Sequence, residues 1–306
     1  MTGRRRLLVT GCRGQVAVSL VERGAGSEFE VIALGRPELD LSVPGSAAAA
    51  IARAAPDIVV SAAAYTAVDK AEDEEDFALR INAEAPGEIA RAAAQLAVPV
   101  IHLSTDYVFD GAKTTPYVEE DPTGPLSAYG RSKLAGEAAV AAAGGNHAIL
   151  RTAWVYGPHG RNFLKTMLDL SEREEVAVVD DQTGNPTSSL DLADAILRVA
   201  RNLIVDPSPR LRGLFHVTAP GEGSWADFAE EIFSVLAEGG RHRPSVRRIA
   251  SEDYQARAVR PKNSRLDCGR LAREHGVRLP DWRMSTAAVV RRLVGESGKG
   301  GERNRT

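Results

Sequence analysis

Only two cysteines occur in the 306 residues, Cys12 and Cys268, and neither sits at metal-ligand spacing. A cytosolic chain would keep both reduced, so neither needs a chemical role. Long apolar runs are also missing: the Ala, Leu and Val patches are broken by charges before reaching membrane-spanning length. The basic opening 2–6 is followed only by 7–10 before Gly11, far short of the apolar stretch of about 7 to 15 residues in a signal peptide. A soluble, cytoplasmic protein is expected, with no membrane partner. Basic clusters are confined to the first arginines and Arg247-Arg248, with a net charge of −3, so no nucleic-acid footprint is present. The six histidines show no ligand spacing either, and no internal repeat is evident.

What is present is an ordinary globular balance, 43% apolar and 26% charged, in a length that suits two domains of about 100 to 200 residues or one large α/β unit with an elaborated lobe. Apolar runs at 7–10, 30–34, 58–61, 100–104 and 147–151 alternate with Ala-rich stretches such as 46–55 and 85–97, and alanine is the best helix former. Strand alternating with helix implies parallel strands joined by crossover helices. The expectation is an α/β doubly wound parallel sheet of Rossmann type over residues 1–156. A smaller C-terminal substrate-binding lobe is expected over 157–294, with a segment near 188–217 returning to the first domain. Within that second half, 163–172, 190–201 and 225–236 read as helices, and 176–179 and 215–218 as strands. Residues 295–306 are polar and Gly-rich, as in a disordered tail.

The run LLVTGCRGQVA puts Gly11 and Gly14 directly after the first strand and before a helical stretch. In such turns one glycine permits the tight bend, the next lets the backbone approach a pyrophosphate, and the third, here Ala17, allows close helix packing. The helix N-terminus then offers free N–H groups to the phosphates. After the second strand, an NAD site normally presents an acidic residue to the ribose 2′-hydroxyl. Here Gly35-Arg36 stands in its place, and an arginine can pair with a 2′-phosphate. NADPH is therefore the expected cofactor, with NADH left open and Asp40-Leu41 available to the adenosine. The small residues after the third strand, 61–66, would let a ribose and nicotinamide pass close to the backbone; small-residue helix packing is the competing explanation.

The sharpest signal is Tyr129 with Lys133. At i and i+4 the two share one helix face, so the ammonium can favour the ionised phenol. An unperturbed phenol titrates near about 10, too high for efficient proton exchange at neutral pH, and a nearby cation would bring it towards working range. Thr105, about two dozen residues upstream at the end of the fourth strand, can hold a substrate oxygen.

These residues resemble the extended short-chain dehydrogenase/reductase family, and within it the branch that reduces nucleotide-linked 4-keto-6-deoxy sugars. GxxGQV at 11–16, AAAYTAVDKAE at 62–72, STDYVFDG at 104–111, YGRSKLAGE at 129–137, RTAWVYG at 151–157, DQTGNPT at 181–187 and RPKNSRLD at 260–267 carry the likeness in order, up to about residue 294. The glycine loop and Tyr-x-x-x-Lys belong to the wider superfamily, whereas the second, third and last of these motifs are characteristic of the branch. The resemblance implies NAD(P)H-dependent reduction of the C4 keto group of dTDP-4-dehydro-L-rhamnose. Tyr129 would protonate the C4 oxygen, Thr105 bond it, and Lys133 hold the nicotinamide ribose. Gly11, Gly14, Gln15, Val16, Arg36, Asp40, Leu41, Ala64, Tyr65 and Thr66 would line the cofactor. Asp106 and Trp154 would contact the sugar, though a turn cap and a core aromatic are their alternatives. Arg260 and Arg265 are candidates for the nucleotide phosphates, with surface ion pairing as the alternative. A homodimer is compatible with the likeness. Some members are dimers bridged by acidic residues and magnesium, but Ser19 and Leu190 occupy two of those positions, so no structural metal is expected.

Rival functions remain. A 4,6-dehydratase normally has an acid and a base beside the threonine, as Asp-Glu, but Asp106 is followed by Tyr107. An epimerase would retain its cofactor. A sister ketoreductase could make a different deoxysugar for a secondary metabolite. From another class, the regulatory subunit of methionine adenosyltransferase resembles the same reductases and acts by binding a partner; Thr105, Tyr129 and Lys133 together argue for catalysis.

Overall fold

A computed structural model describes residues 3–301, with side chains described to residue 295. The first half runs β1 (Arg5–Thr10), α1 (Gln15–Gly24), β2 (Phe29–Leu34), α2 (Ser46–Ala54), β3 (Ile58–Ser61), α3 (Val68–Ala71), α4 (Glu75–Leu79), a π-helical turn at Arg80–Glu84, α5 (Ala85–Gln95), β4 (Val100–Thr105), α6 (Ala128–Ala142) and β5 (His147–Thr152). The second half holds β6 (Val155–Tyr156), α7 (Phe163–Asp169), β7 (Glu175–Val179), β8 (Thr183–Gly184), β9 (Thr187–Ser188), α8 (Ser189–Val205), β10 (Gly213–His216), β11 (Gly223–Ser224), α9 (Trp225–Glu238), β12 (Ser245–Ile249), α10 (Gly269–His275) and α11 (Trp282–Gly301).

Six strands form one parallel sheet in the order β10-β5-β4-β3-β1-β2. Every residue of β3, β4 and β5 is buried, which explains their near-continuous apolar runs: a parallel sheet is covered on both faces. The α2 helix buries Ala47, Ala50, Ile51 and Ala54, one stripe at helical spacing, and packs with α5 on one face. On the other face α1 packs on α8. Gly24 lets α1 meet the sheet closely, since a Cβ there would lie 2.3 Å from Val31 Cγ2. The strand order reverses between β1 and β3, and ligands of such sheets bind beyond the carboxyl ends of the strands at that point.

The strands of the first half lie within two residues of the sequence expectation. The segment read as 215–218 pairs instead as Gly213–His216, because it is fixed by its register on Ala148–Arg151 of β5. The helix expected over 163–172 closes at Asp169, where Leu170 N turns back to Thr166 O and Met167 O. Smaller pairs, β7 with β12, β8 with β11 and β6 with β9, build the remainder of the second half. The helix α11 carries helical backbone to Gly301 where a disordered tail was expected from Gly295, and 302–306 lie outside the described residues. Among the described residues no helix is long and apolar enough to cross a membrane.

Candidate active site

A cleft of about 1090 Å³ opens at the strand-order reversal. The fifteen positions singled out from the sequence as Gly11, Gly14, Gln15, Val16, Arg36, Asp40, Leu41, Ala64, Tyr65, Thr66, Thr105, Asp106, Tyr129, Lys133 and Trp154 all line it.

At one end the turn after β1 builds a cradle. Gly11 has φ +91°, and a Cβ there would also crowd Ala63 Cβ at 3.3 Å. The Thr10 hydroxyl accepts from Ala62 N and Ala63 N, both at 3.1 Å, tying this turn to the end of β3. Gly14 is the N-cap of α1 and brings no capping side chain, so the first N–H groups of the helix are left to an anion in the cleft. These features fit a dinucleotide pyrophosphate. Arg36 is exposed at the rim, whereas the Asp40 carboxylate is engaged by Ser42 N at 2.9 Å and Ser42 Oγ at 2.7 Å. Those hydrogen bonds hold its pKa below the usual range.

The small-residue segment after β3 is fixed by Asn82, which the sequence reading missed. Asn82 sits in the π-helical turn, accepts from Tyr65 N at 2.8 Å, and donates to Tyr65 O and Ser132 Oγ, both at 3.0 Å. The turn thus clamps the cleft wall to α6, the kind of position π-bulges often take near functional sites. Gly136 permits the approach: a Cβ there would stand 2.0 Å from Asn82 O.

Ser127 caps α6, accepting from Gly130 N at 3.2 Å, and the helix then carries Tyr129 and Lys133 into the cleft. Tyr129 lies edge-on to Tyr107, centroids 5.7 Å apart. The Thr105 hydroxyl donates to Asp106 Oδ1 at 2.9 Å and accepts from Tyr107 N at 3.2 Å. Burial lifts the Tyr129 phenol to about 12, with the Thr105 hydroxyl opposing. The expected neighbouring ammonium does not lower it. Lys133 instead donates to Leu103 O at 2.6 Å and lies 3.5 Å from His102 Nε2. The sheet end supplies a carbonyl acceptor that spacing along a helix does not reveal. Burial brings the Lys133 pKa down to about 8, Glu137 opposing, and holds fully buried His102 well below its usual value, hence neutral. His102 Nδ1 is in turn 3.1 Å from Ser61 Oγ. Asp106 is 3% exposed, and burial raises its carboxyl to about 6. Its Oδ2 is buried and has no hydrogen-bond partner among the described residues, an unsatisfied acceptor in a residue that lines the cleft.

Trp154 is half-buried in the cleft lining and stacks on Trp225, another residue the sequence reading passed over. Arg260 and Arg265 do not line the cleft. Arg260 pairs with Asp69 at 2.8 Å, and Arg265 with Glu222 at 2.8 Å and Thr114 O at 2.6 Å.

A glycine turn at a sheet switch point, joined in one cleft to a Thr, Tyr and Lys group, defines a nicotinamide-dinucleotide-dependent oxidoreductase. Residues 5–294 match the family described as RmlD substrate binding domain, and the chain belongs to it. It is 51% identical over 290 residues to a dTDP-4-dehydrorhamnose reductase from Sinorhizobium fredii, covering 94% of this chain and 98% of that protein. Among solved structures, the dTDP-4-dehydrorhamnose reductase of Clostridium acetobutylicum superposes with a TM-score of 0.87 at 37% identity, covering 94% and 99% of the two chains. That of Bacillus anthracis, in complex with NADP, gives 0.86 at 33%, covering 94% and 98%.

Proposed function

We propose that this protein reduces the C4 keto group of dTDP-4-dehydro-L-rhamnose to dTDP-L-rhamnose with NADPH. The observation that carries the reading is the convergence of Thr105, Tyr129 and Lys133 with the capless start of α1 in a single cleft. Bound NADPH supplies the hydride. Tyr129 donates its phenolic proton to the C4 oxygen as negative charge develops there; at a pKa of about 12 it is protonated at neutral pH and still more acidic than an alkanol. Thr105 holds that oxygen by a hydrogen bond. Lys133 positions the nicotinamide ribose, and Arg36 pairs with the 2′-phosphate. Asp106, which lines the same cleft, contacts the sugar. The reading includes a cytoplasmic location, where reduced dinucleotide is available.

The test is loss of reduced-cofactor absorbance when the purified protein meets dTDP-4-keto-6-deoxyglucose and a 3,5-epimerase, with NADPH and NADH in parallel and the product sugar identified. Formation of dTDP-L-rhamnose supports the reading. A different sugar product would assign the chain to a sister ketoreductase, and no oxidation would overturn the reading.

A further inference from the structure

Two indoles lie against each other in the lining of the cleft. The rings of Trp154 and Trp225 are 3.6 Å apart, centroid to centroid, and 5° from parallel. Trp154 holds φ +48°, a left-handed conformation that bulky side chains rarely adopt and that persists only where the surroundings enforce it. Gly184 leaves room for the indole: a Cβ at this position would lie 2.5 Å from Trp154 Cε2. The strand of Gly184 also pairs with the one that leads into Trp225: in β8 and β11 Gly184 faces Gly223 and Thr183 faces Ser224, immediately before Trp225. Trp225 is then fixed from behind. Its Nε1 donates to Gln182 Oε1 at 3.2 Å, and Gln182 Nε2 donates to Ser251 Oγ at 2.8 Å. Phe163 packs at a tilt against Trp225, centroids 4.8 Å apart. Both indoles line the same cleft as Thr105, Asp106 and Tyr129.

We infer that Trp225 is a specificity-determining residue: it holds the Trp154 indole in place, and the pair forms a rigid apolar wall that reads the C6 methyl of the sugar. This rests on the proposed function. A C4 carbonyl held at Tyr129 and Thr105 puts the C6 methyl two carbons away, next to the polar group rather than within it. An aromatic wall accepts a methyl there and gives a C6 hydroxyl no hydrogen-bond partner, so that hydroxyl is desolvated without compensation.

The experiment compares kcat/KM for two dTDP-linked 4-keto sugars, one with a C6 methyl and one with a C6 hydroxymethyl, in the wild type, Trp225→Phe and Gln182→Met. The wild type should prefer the methyl sugar by roughly 10²-fold, the scale at which an apolar pocket rejects an added hydroxyl. Trp225→Phe should lower that ratio by roughly tenfold, and Gln182→Met should lower it in the same direction by less. A partly unfolded preparation scales both rates together and leaves the ratio untouched, and Gln182→Met carries the test should Trp225→Phe not fold. A ratio near one in the wild type, or an unchanged ratio in the variants, overturns the inference. Failure of the wild type to oxidise NADPH with either sugar overturns the functional reading itself.

Discussion

Arg151 grips Glu137 through both carboxylate oxygens, Nε to Oε1 at 2.8 Å and Nη2 to Oε2 at 2.7 Å, with both side chains almost fully buried between β5 and α6. The Ser104 hydroxyl adds a third donor to the same carboxylate, and the guanidinium lies over the Phe109 ring at 4.9 Å. This pair fixes the middle of the helix that presents Tyr129 and Lys133.

Removing one partner of a buried pair leaves an uncompensated charge, which costs about 3 to 5 kcal/mol. Glu137→Leu should lower unfolding stability by that amount in urea titration. The double variant Glu137→Leu with Arg151→Met should recover most of it. A double variant no more stable than the single one would show that the pair matters through shape and not through charge.

Tyr129→Phe should leave NADPH affinity intact and reduce kcat by roughly 10² or more, the scale of a lost general acid. Full turnover in this variant would remove Tyr129 from the chemistry.

Lys133 is expected to set an alkaline limit on activity. Its ammonium titrates at about 8 in the folded protein, against 10.5 for the unperturbed group, because burial disfavours the charge. Above that pH the cation that would position the ribose is lost, so kcat/KM should decline with a midpoint near pH 8. The stability effect has the opposite sign. A depressed lysine binds fewer protons folded than unfolded, so its burden on the fold is full below about 8 and relieved as pH rises towards 10.5. Wild type should therefore gain stability relative to Lys133→Met across that window. An activity profile flat to pH 10 would rule out the ammonium requirement.

Arg36 is expected to govern cofactor choice. Arg36→Ala should raise the KM for NADPH by roughly 10- to 100-fold, the worth of about 1.5 to 3 kcal/mol for a hydrogen bond to a charged group, and leave that for NADH nearly unchanged. Equal effects on both cofactors would move the 2′-phosphate elsewhere.

Local patterns made much of this legible. The turn at Gly11 and Gly14 and the pair Tyr129 and Lys133 are encoded within a few residues, and a strand followed by a glycine turn and a helix has few alternative geometries. The doubly wound sheet followed from the same alternation. What stayed hidden depends on distant chain segments. Asn82 matters because a π turn brings it under Tyr65, and nothing in its own neighbourhood announces that. Trp225 reads as the first apolar residue of an amphipathic helix until β8 and β11 bring it against Trp154. The Lys133 ammonium was placed by helix spacing beside the phenol, but its actual acceptor is a sheet carbonyl, Leu103 O, and rotamer choice in a buried site is decided by such acceptors.

The pairing of β10 with β5 has a consequence for biosynthesis. The outer edge of β5 is closed by residues that follow it by some sixty positions, and α1 rests on α8 from that same later stretch. A ribosome that has released the chain only through β5 has released an exposed strand edge and a bare helix face, features that invite association with other chains. The dinucleotide half therefore completes itself only once residue 216 has cleared the exit tunnel, and a fragment ending at residue 156 should be captured by chaperones or precipitate.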